Sequence, residues 1–391
     1  MDYDTGLKLA LGWNRRNMEL IGVWPEPTRT DERLPNFKVL FFLSIIFLFG
    51  ILPENVNLYF ISGNLDLVME NLTMANLPGM NAMIKFIYAW YYKEALKPVI
   101  KCFYDDWYTA KTEEEKALML RMAKPAKFIS VWCSMLSLTM LVAYQTLRIF
   151  TICLTDKASV NQDRLMIYPA YFPFDIRPTS RLLIINIAQL IAGYSDTVAY
   201  TTVDTFIAML IMHICGQFAI LKKKLLKLMD NDRHSKGMDE FQKELALIIN
   251  KHEQLNGLAA KIEECFCMLL LLQLLFCTIE ICLQGFILLN VILKNENGIF
   301  HFQMVHFIIF VSFVLVHIYL YCYIGETLLV QNQEMSDCAY ESKWYNVSPP
   351  EARCLLFIMN RSVRPLYLTA GKFSTFSMEM FSSVCITELL L

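Results

Sequence analysis

Stretches of roughly 20 mainly apolar residues, long enough to cross a bilayer core of about 30 Å as a helix, recur along this chain at residues 39–60, 128–153, 182–220, 265–292, 302–323 and 366–391. A weaker stretch at 71–92 carries Pro78, Gly79 and Lys85, and the loops alternate sides sensibly only if it also crosses. It is counted as the second of seven spans. The reading is an all-α, seven-transmembrane helical membrane protein with an N-terminal segment at 1–38, helices one to six within 39–335, and a last segment at 336–391 that includes the last helix.

Composition agrees and removes other classes. Of 391 residues 55% are hydrophobic and 18% charged, too apolar for an ordinary soluble pair of domains, and the net charge of −2 supplies no basic face for nucleic acid. Cys133, Cys215, Cys277, Cys282, Cys322 and Cys385 fall inside apolar runs without paired spacing, so neither a disulfide framework nor a zinc site is indicated. His301 and His306 are five apart, which does not stack two imidazoles on one helix face, so no metal or other cofactor is expected. No convergent set of acid, base or nucleophile suggests an enzyme.

Lys and Arg accumulate in loops retained in the cytoplasm. They are dense in the N-terminal segment (Lys8, Arg15, Arg16, Arg29, Arg33, Lys38), between spans two and three (Lys93 to Lys127), and at Lys222, Lys223 and Lys224. The loop between spans one and two has none, and that between five and six has Lys294 alone. The N-terminus is therefore expected inside and the C-terminus outside, the reverse of a G-protein-coupled receptor. The loop at 155–181 carries four basic residues but is too long to weigh. On the inner side the helices are expected to continue, through 92–107 with a kink at Pro98 and through the amphipathic stretch 238–264.

Lys85, Arg148, Asp196, Asp204, Glu280 and Glu379 are ionisable groups at bilayer depth. Such groups face water or protein, so they mark either an aqueous cavity or interhelical pairing. On the last span Thr375, Glu379, Ser383 and Thr387 recur every fourth residue as a polar stripe, suited to a pore wall or to close packing of small residues. Met74, Leu77, Met140, Tyr144, Tyr194, Tyr200, Cys282 and Phe286 would sit in the outer halves of helices two to five. There they would either line a site for a small apolar ligand or serve ordinary packing. Of the glycosylation sequons at Asn71, Asn346 and Asn360, this topology leaves only Asn71 outside.

The run YCYIGETLLVQNQ, followed by AYESKWYNVSPPEARCLLFIMNRSVRPLYLTAGKFSTFSMEMF, closely resembles the insect odorant receptor family. The match is carried by Tyr321, Cys322, Gly325, Glu326, the pairs Ala339-Tyr340 and Trp344-Tyr345, Pro365, residues 369–373 and Ser377. YPAYFPFDI in the second outer loop and the Asp204 region add a weaker match. The resemblance implies an odorant-gated, non-selective cation channel in the plasma membrane of olfactory sensory neurons. It implies a tetramer that combines an odorant-specific subunit, which this chain resembles, with the shared odorant receptor co-receptor. A small volatile ligand would bind in the outer half of the bundle and the last helix would line the pore. A cytoplasmic anchor including Tyr340, Trp344 and Tyr345 would join the subunits, and membrane lipid would surround them. In the family the last helix usually runs about two turns beyond the position of Thr387, whereas this chain stops at Leu391. The competing classes are a G-protein-coupled chemoreceptor, whose Asp-Arg-Tyr and Asn-Pro-x-x-Tyr motifs are absent, and a transporter, for which no internal repeat is visible.

Overall fold

The structure, a computed structural model, describes residues 3–28, 31, 33–109, 112–154, 166–176, 178–230, 238–293 and 297–390. Almost all of it is helix. In chain order the elements are α1 (Tyr3–Ile21), α2 (Arg33–Ile46), α3 (Leu52–Ile61), α4 (Leu65–Asn71), α5 (Leu77–Tyr91), α6 (Lys93–Thr109), α7 (Glu113–Leu154), α8 (Thr179–Asp230), α9 (Met238–Leu293), α10 (Asn297–Glu341), α11 (Pro349–Ser362) and α12 (Met378–Leu390). Among the described residues five stretches are long and apolar enough to cross a membrane: Arg33–Ile61, Glu113–Phe150, Thr179–Asp230, Asp239–Asn290 and Phe307–Glu341. The α4–α5 unit and α12 bring the crossings to seven.

The first two crossings are interrupted by widened turns, Phe47–Ile51 and Leu72–Asn76, and the helix that follows each carries a proline as its second residue, Pro53 or Pro78. Proline supplies no N–H to the preceding turn, so the regular ladder gives way there. The other crossings overshoot the membrane. α8 holds 52 residues, about 78 Å of helix against a hydrocarbon core of about 30 Å. The surplus of α7 to α10, with α6 and α11, forms a helical base. There ion pairs join Lys223 and Lys227 to Glu114, Lys224 to Glu115 (2.8 Å), and Lys343 to Asp230 (3.0 Å). α8 is the central element: its buried residues run almost unbroken from Val198 to Phe218, and every other long helix packs on it.

The N-terminal segment holds more structure than its mixed composition suggests. α1 buries Leu11, Met18 and Ile21 against α7 and α8. Its Asn14 donates to Ser130 Oγ and accepts from Thr205 Oγ1, and Trp24 beyond it packs edge-on to Phe206. The boundaries at 38 and 335 both fall inside continuous helices, α2 and α10.

The last crossing is much shorter than the apolar run 366–391. Gly371 and Lys372 both adopt positive φ (59° and 63°), forming the turn of a small hairpin in which β1 (Thr369–Ala370) pairs antiparallel with β2 (Ser374–Thr375). A left-handed turn of this kind breaks a helix. Thr375 therefore lies in a strand opposite Thr369, not on the last helix, and the expected four-residue stripe loses its first member.

Candidate ligand-binding site

A cavity of about 190 Å³ lies between α3, the α4–α5 unit, α7, α8, α9 and α10. Helical spacing explains its lining. Ser137, Met140, Leu141 and Tyr144 lie three or four residues apart on α7, and Gln189, Gly193, Asp196, Thr197 and Tyr200 do so on α8, so each set shares one face. Ile46, Phe49, Ile51, Phe310 and Phe313 complete an apolar wall.

The described part of the connection after α7, residues 166–176, packs beside this cavity and contributes Tyr168 to it. Arg148 donates to the carbonyls of Met166 (3.0 Å) and Ile167 (3.1 Å), and Gln189 both donates to the Tyr168 carbonyl and accepts from its N–H. Tyr168 thereby reaches the cavity and stacks on Tyr144, with ring centroids 5.4 Å apart. Its hydroxyl sits where Gly193 has no side chain, since a Cβ there would lie 2.8 Å from it. On the far side of the loop, Asn57 and Asn71 donate to the Pro169 carbonyl, and Tyr171 stacks on Phe60 at 4.3 Å. Asn71 is thus buried, with its amide nitrogen already committed, and its sequon is closed to a glycan in this fold.

Of the eight expected ligand contacts, Met140, Tyr144 and Tyr200 line the cavity. Tyr194 does not: one residue past Gly193, it points about 100° away and is 47% exposed. Cys282 is exposed for the same reason, two residues past the lining Glu280. Leu77 and Phe286 are half-buried outside the lining, and the side chain of Met74 lies outside the described residues. Tyr168, Gln189 and Glu54 were not expected. YPAYFPFDI carried the signal for Tyr168, and the three- and four-residue spacing about Asp196 carried that for Gln189.

Beneath the cavity Lys85 Nζ lies 2.7 Å from Asp204 Oδ1 and 3.4 Å from the centroid of the Tyr200 ring. His317 Nε2 is 3.8 Å from the same carboxylate. Asn81, Gln273 and the Tyr200 hydroxyl continue this buried polar layer through hydrogen bonds of 2.9 and 2.7 Å. Among the described residues no group of three or more His, Cys, Asp or Glu is placed to hold a metal ion.

The motif residues of the C-terminal part dock the hairpin and start the last helix. Gly371 N donates to Cys267 O (2.8 Å), Thr369 Oγ1 to Glu263 (2.6 Å), and Phe376 packs on Tyr321 against Gly325. Glu326 and the Ser377 hydroxyl accept from the first N–H groups of α12, Met378 and Met380. On α12, Met380, Phe381 and Val384 face the bundle, while Glu379 and Ser383 are exposed. The side chain of Thr387 lies outside the described residues. Tyr340, Trp344 and Tyr345 are exposed on the base at 65%, 45% and 69%.

Seven crossings, a cavity among them and a helical base define a polytopic helical membrane protein. The chain superimposes on the olfactory receptor OR5 of Machilis hrabei in complex with eugenol, with a TM-score of 0.82 at 14% identity over 100% of this chain and 98% of that one. A second structure of the olfactory receptor OR5 of Machilis hrabei gives 0.80 at 14% identity over 97% of this chain and 96% of that one. Residues 64–387 match the family described as 7tm Odorant receptor, and the chain belongs to that family. Among its relatives, odorant receptors 13a and 94a of Drosophila melanogaster are each 23% identical, covering 95% and 93% of this chain and 91% of their own lengths.

Proposed function

We propose that this chain is an odorant-specific subunit of a ligand-gated, non-selective cation channel. On this reading it assembles with a co-receptor as a hetero-tetramer in the plasma membrane of olfactory sensory neurons. The observation that carries the reading is the cavity, whose aromatic and aliphatic walls fit a small volatile molecule held mainly by shape. The eugenol-bound relative has a ligand of that size class. Two exposed surfaces support the assembly. Glu379 and Ser383 on α12 turn away from this chain's own bundle, as a pore wall requires. Tyr340, Trp344 and Tyr345 are exposed aromatic side chains at the base, where Leu356 and Phe357 are exposed as well, apolar surface of the kind a subunit contact covers. The test is expression with and without a co-receptor under a panel of volatiles, with current as readout. Current only in the co-expressing cells supports the assignment. Robust odorant current from this chain alone overturns the subunit role.

A further inference from the structure

The cavity is acidic as well as apolar. Glu54, Asp196 and Glu280 line it, and among the described residues no Lys, Arg or His side chain does. Glu54 is 3% and Glu280 5% exposed, so neither carboxyl is solvated from outside. Glu280 Oε1 and Asp196 Oδ1 are each buried without a hydrogen-bond partner among the described residues. A cation close to Glu280, Lys85, is committed to Asp204 at 2.7 Å. Buried acceptors left in this condition are costly unless an occupant supplies donors.

We propose that this cavity selects small basic amines, whose N–H groups donate to one of the two unpartnered carboxyls, Glu280 or Asp196, while an apolar body fills the space against Met140 and Phe313. An ammonium group offers up to three donors and a positive charge in one small head, which a hydroxyl does not. The faces of Tyr144 and Tyr168 add cation-attracting aromatic surface beside it. The inference rests on the odorant-subunit reading and names the ligand class for that same site.

The experiment compares three molecules of one shape, phenethylamine, phenethyl alcohol and propylbenzene. It measures binding to the purified full-length chain by thermal shift, and current in cells co-expressing the co-receptor. The expected result is that the amine is at least ten-fold more potent than the alcohol, a difference of about 1.4 kcal/mol. In Glu280→Gln or in Asp196→Asn, whichever carboxyl holds the head, that amine-to-alcohol ratio should fall toward one, and a ratio unchanged in both variants overturns the proposal. The ratio is taken within each variant that reaches the surface, which separates selectivity from folding. If alcohol and hydrocarbon bind as well as the amine, ordered water already satisfies the carboxyls and the amine proposal is wrong while the odorant reading stands. If the amine stabilises the purified chain but no molecule evokes current, the amine site stands and the channel reading is the one that fails.

Discussion

Lys85 on α5 and Asp204 on α8 form an ion pair 2.7 Å long in which neither side chain has any solvent exposure, and the ring of Tyr200, a wall of the cavity, lies directly over the ammonium group. The cavity and the buried charge pair therefore share a residue. A displacement of the Tyr200 ring would change the surroundings of a charge pair that joins the second and fourth crossings.

Lys85→Met leaves Asp204 buried without its partner and is expected to destabilise the fold by about 3–5 kcal/mol. Adding Asp204→Leu removes the orphaned charge, and the double variant should recover part of the loss. Surface expression and thermal unfolding in detergent measure both. A double variant no better than the single one would mean that the pair matters through shape and not charge.

Tyr144→Ala opens the cavity and removes the stacking partner of Tyr168. The relative potencies of bulky and compact agonists should shift about ten-fold, roughly 1.4 kcal/mol, with surface expression retained. An unchanged agonist ranking would assign Tyr144 to holding the loop instead of contacting ligand.

Glu379→Gln removes a carboxylate from the exposed face of α12. If that face lines the conduction path, cation conductance and selectivity should change more than agonist potency, because the field of a carboxylate raises local cation concentration. Single-channel recording with the co-receptor held constant decides. A shift in potency alone would make the face a packing surface.

In the base, Asp106 on α6 accepts from Lys251 at 2.5 Å and lies 3.1 Å from the His213 ring nitrogen. Burial raises this carboxyl, but hydrogen bonds and charges from His213 and Lys251 outweigh that and hold it below its ordinary value of 3.8. A depressed carboxylate contributes stability that is present above the unfolded value and is lost as pH falls through the folded one. Asp106→Asn should cost about 1.5–3 kcal/mol at neutral pH. The gap between parent and variant melting temperatures should close below pH 3.8. A gap that is constant with pH would show that the charge of Asp106 contributes nothing.

The Lys and Arg distribution places the N-terminus inside and the C-terminus outside. Terminal epitope tags on intact cells should be reached by antibody only at the C-terminus. Labelling of the N-terminal tag without permeabilisation would reverse the topology.

Sequence alone determined the crossings, because a bilayer demands long apolar helices wherever they fall and 3.6-residue periodicity needs no partner to be read. It also marked Lys85, Asp196, Asp204 and Glu280 as exceptional, since charge at bilayer depth is rare whatever surrounds it. It did not determine which of them pair. Lys85 and Asp204 are 119 residues apart and meet only because α5 packs on α8. Nor could it separate Tyr144 and Tyr200, which line the cavity, from Tyr194, which faces out: all three lie on apolar helices, and their roles depend on helix rotation set by neighbours. The apolar run at 366–391 concealed a hairpin because the left-handed turn at Gly371 and Lys372 is held by a bond to the Cys267 carbonyl, a partner about a hundred residues away. Local chemistry fixed what each segment could be, and only contacts distant in the chain decided what each side chain faces.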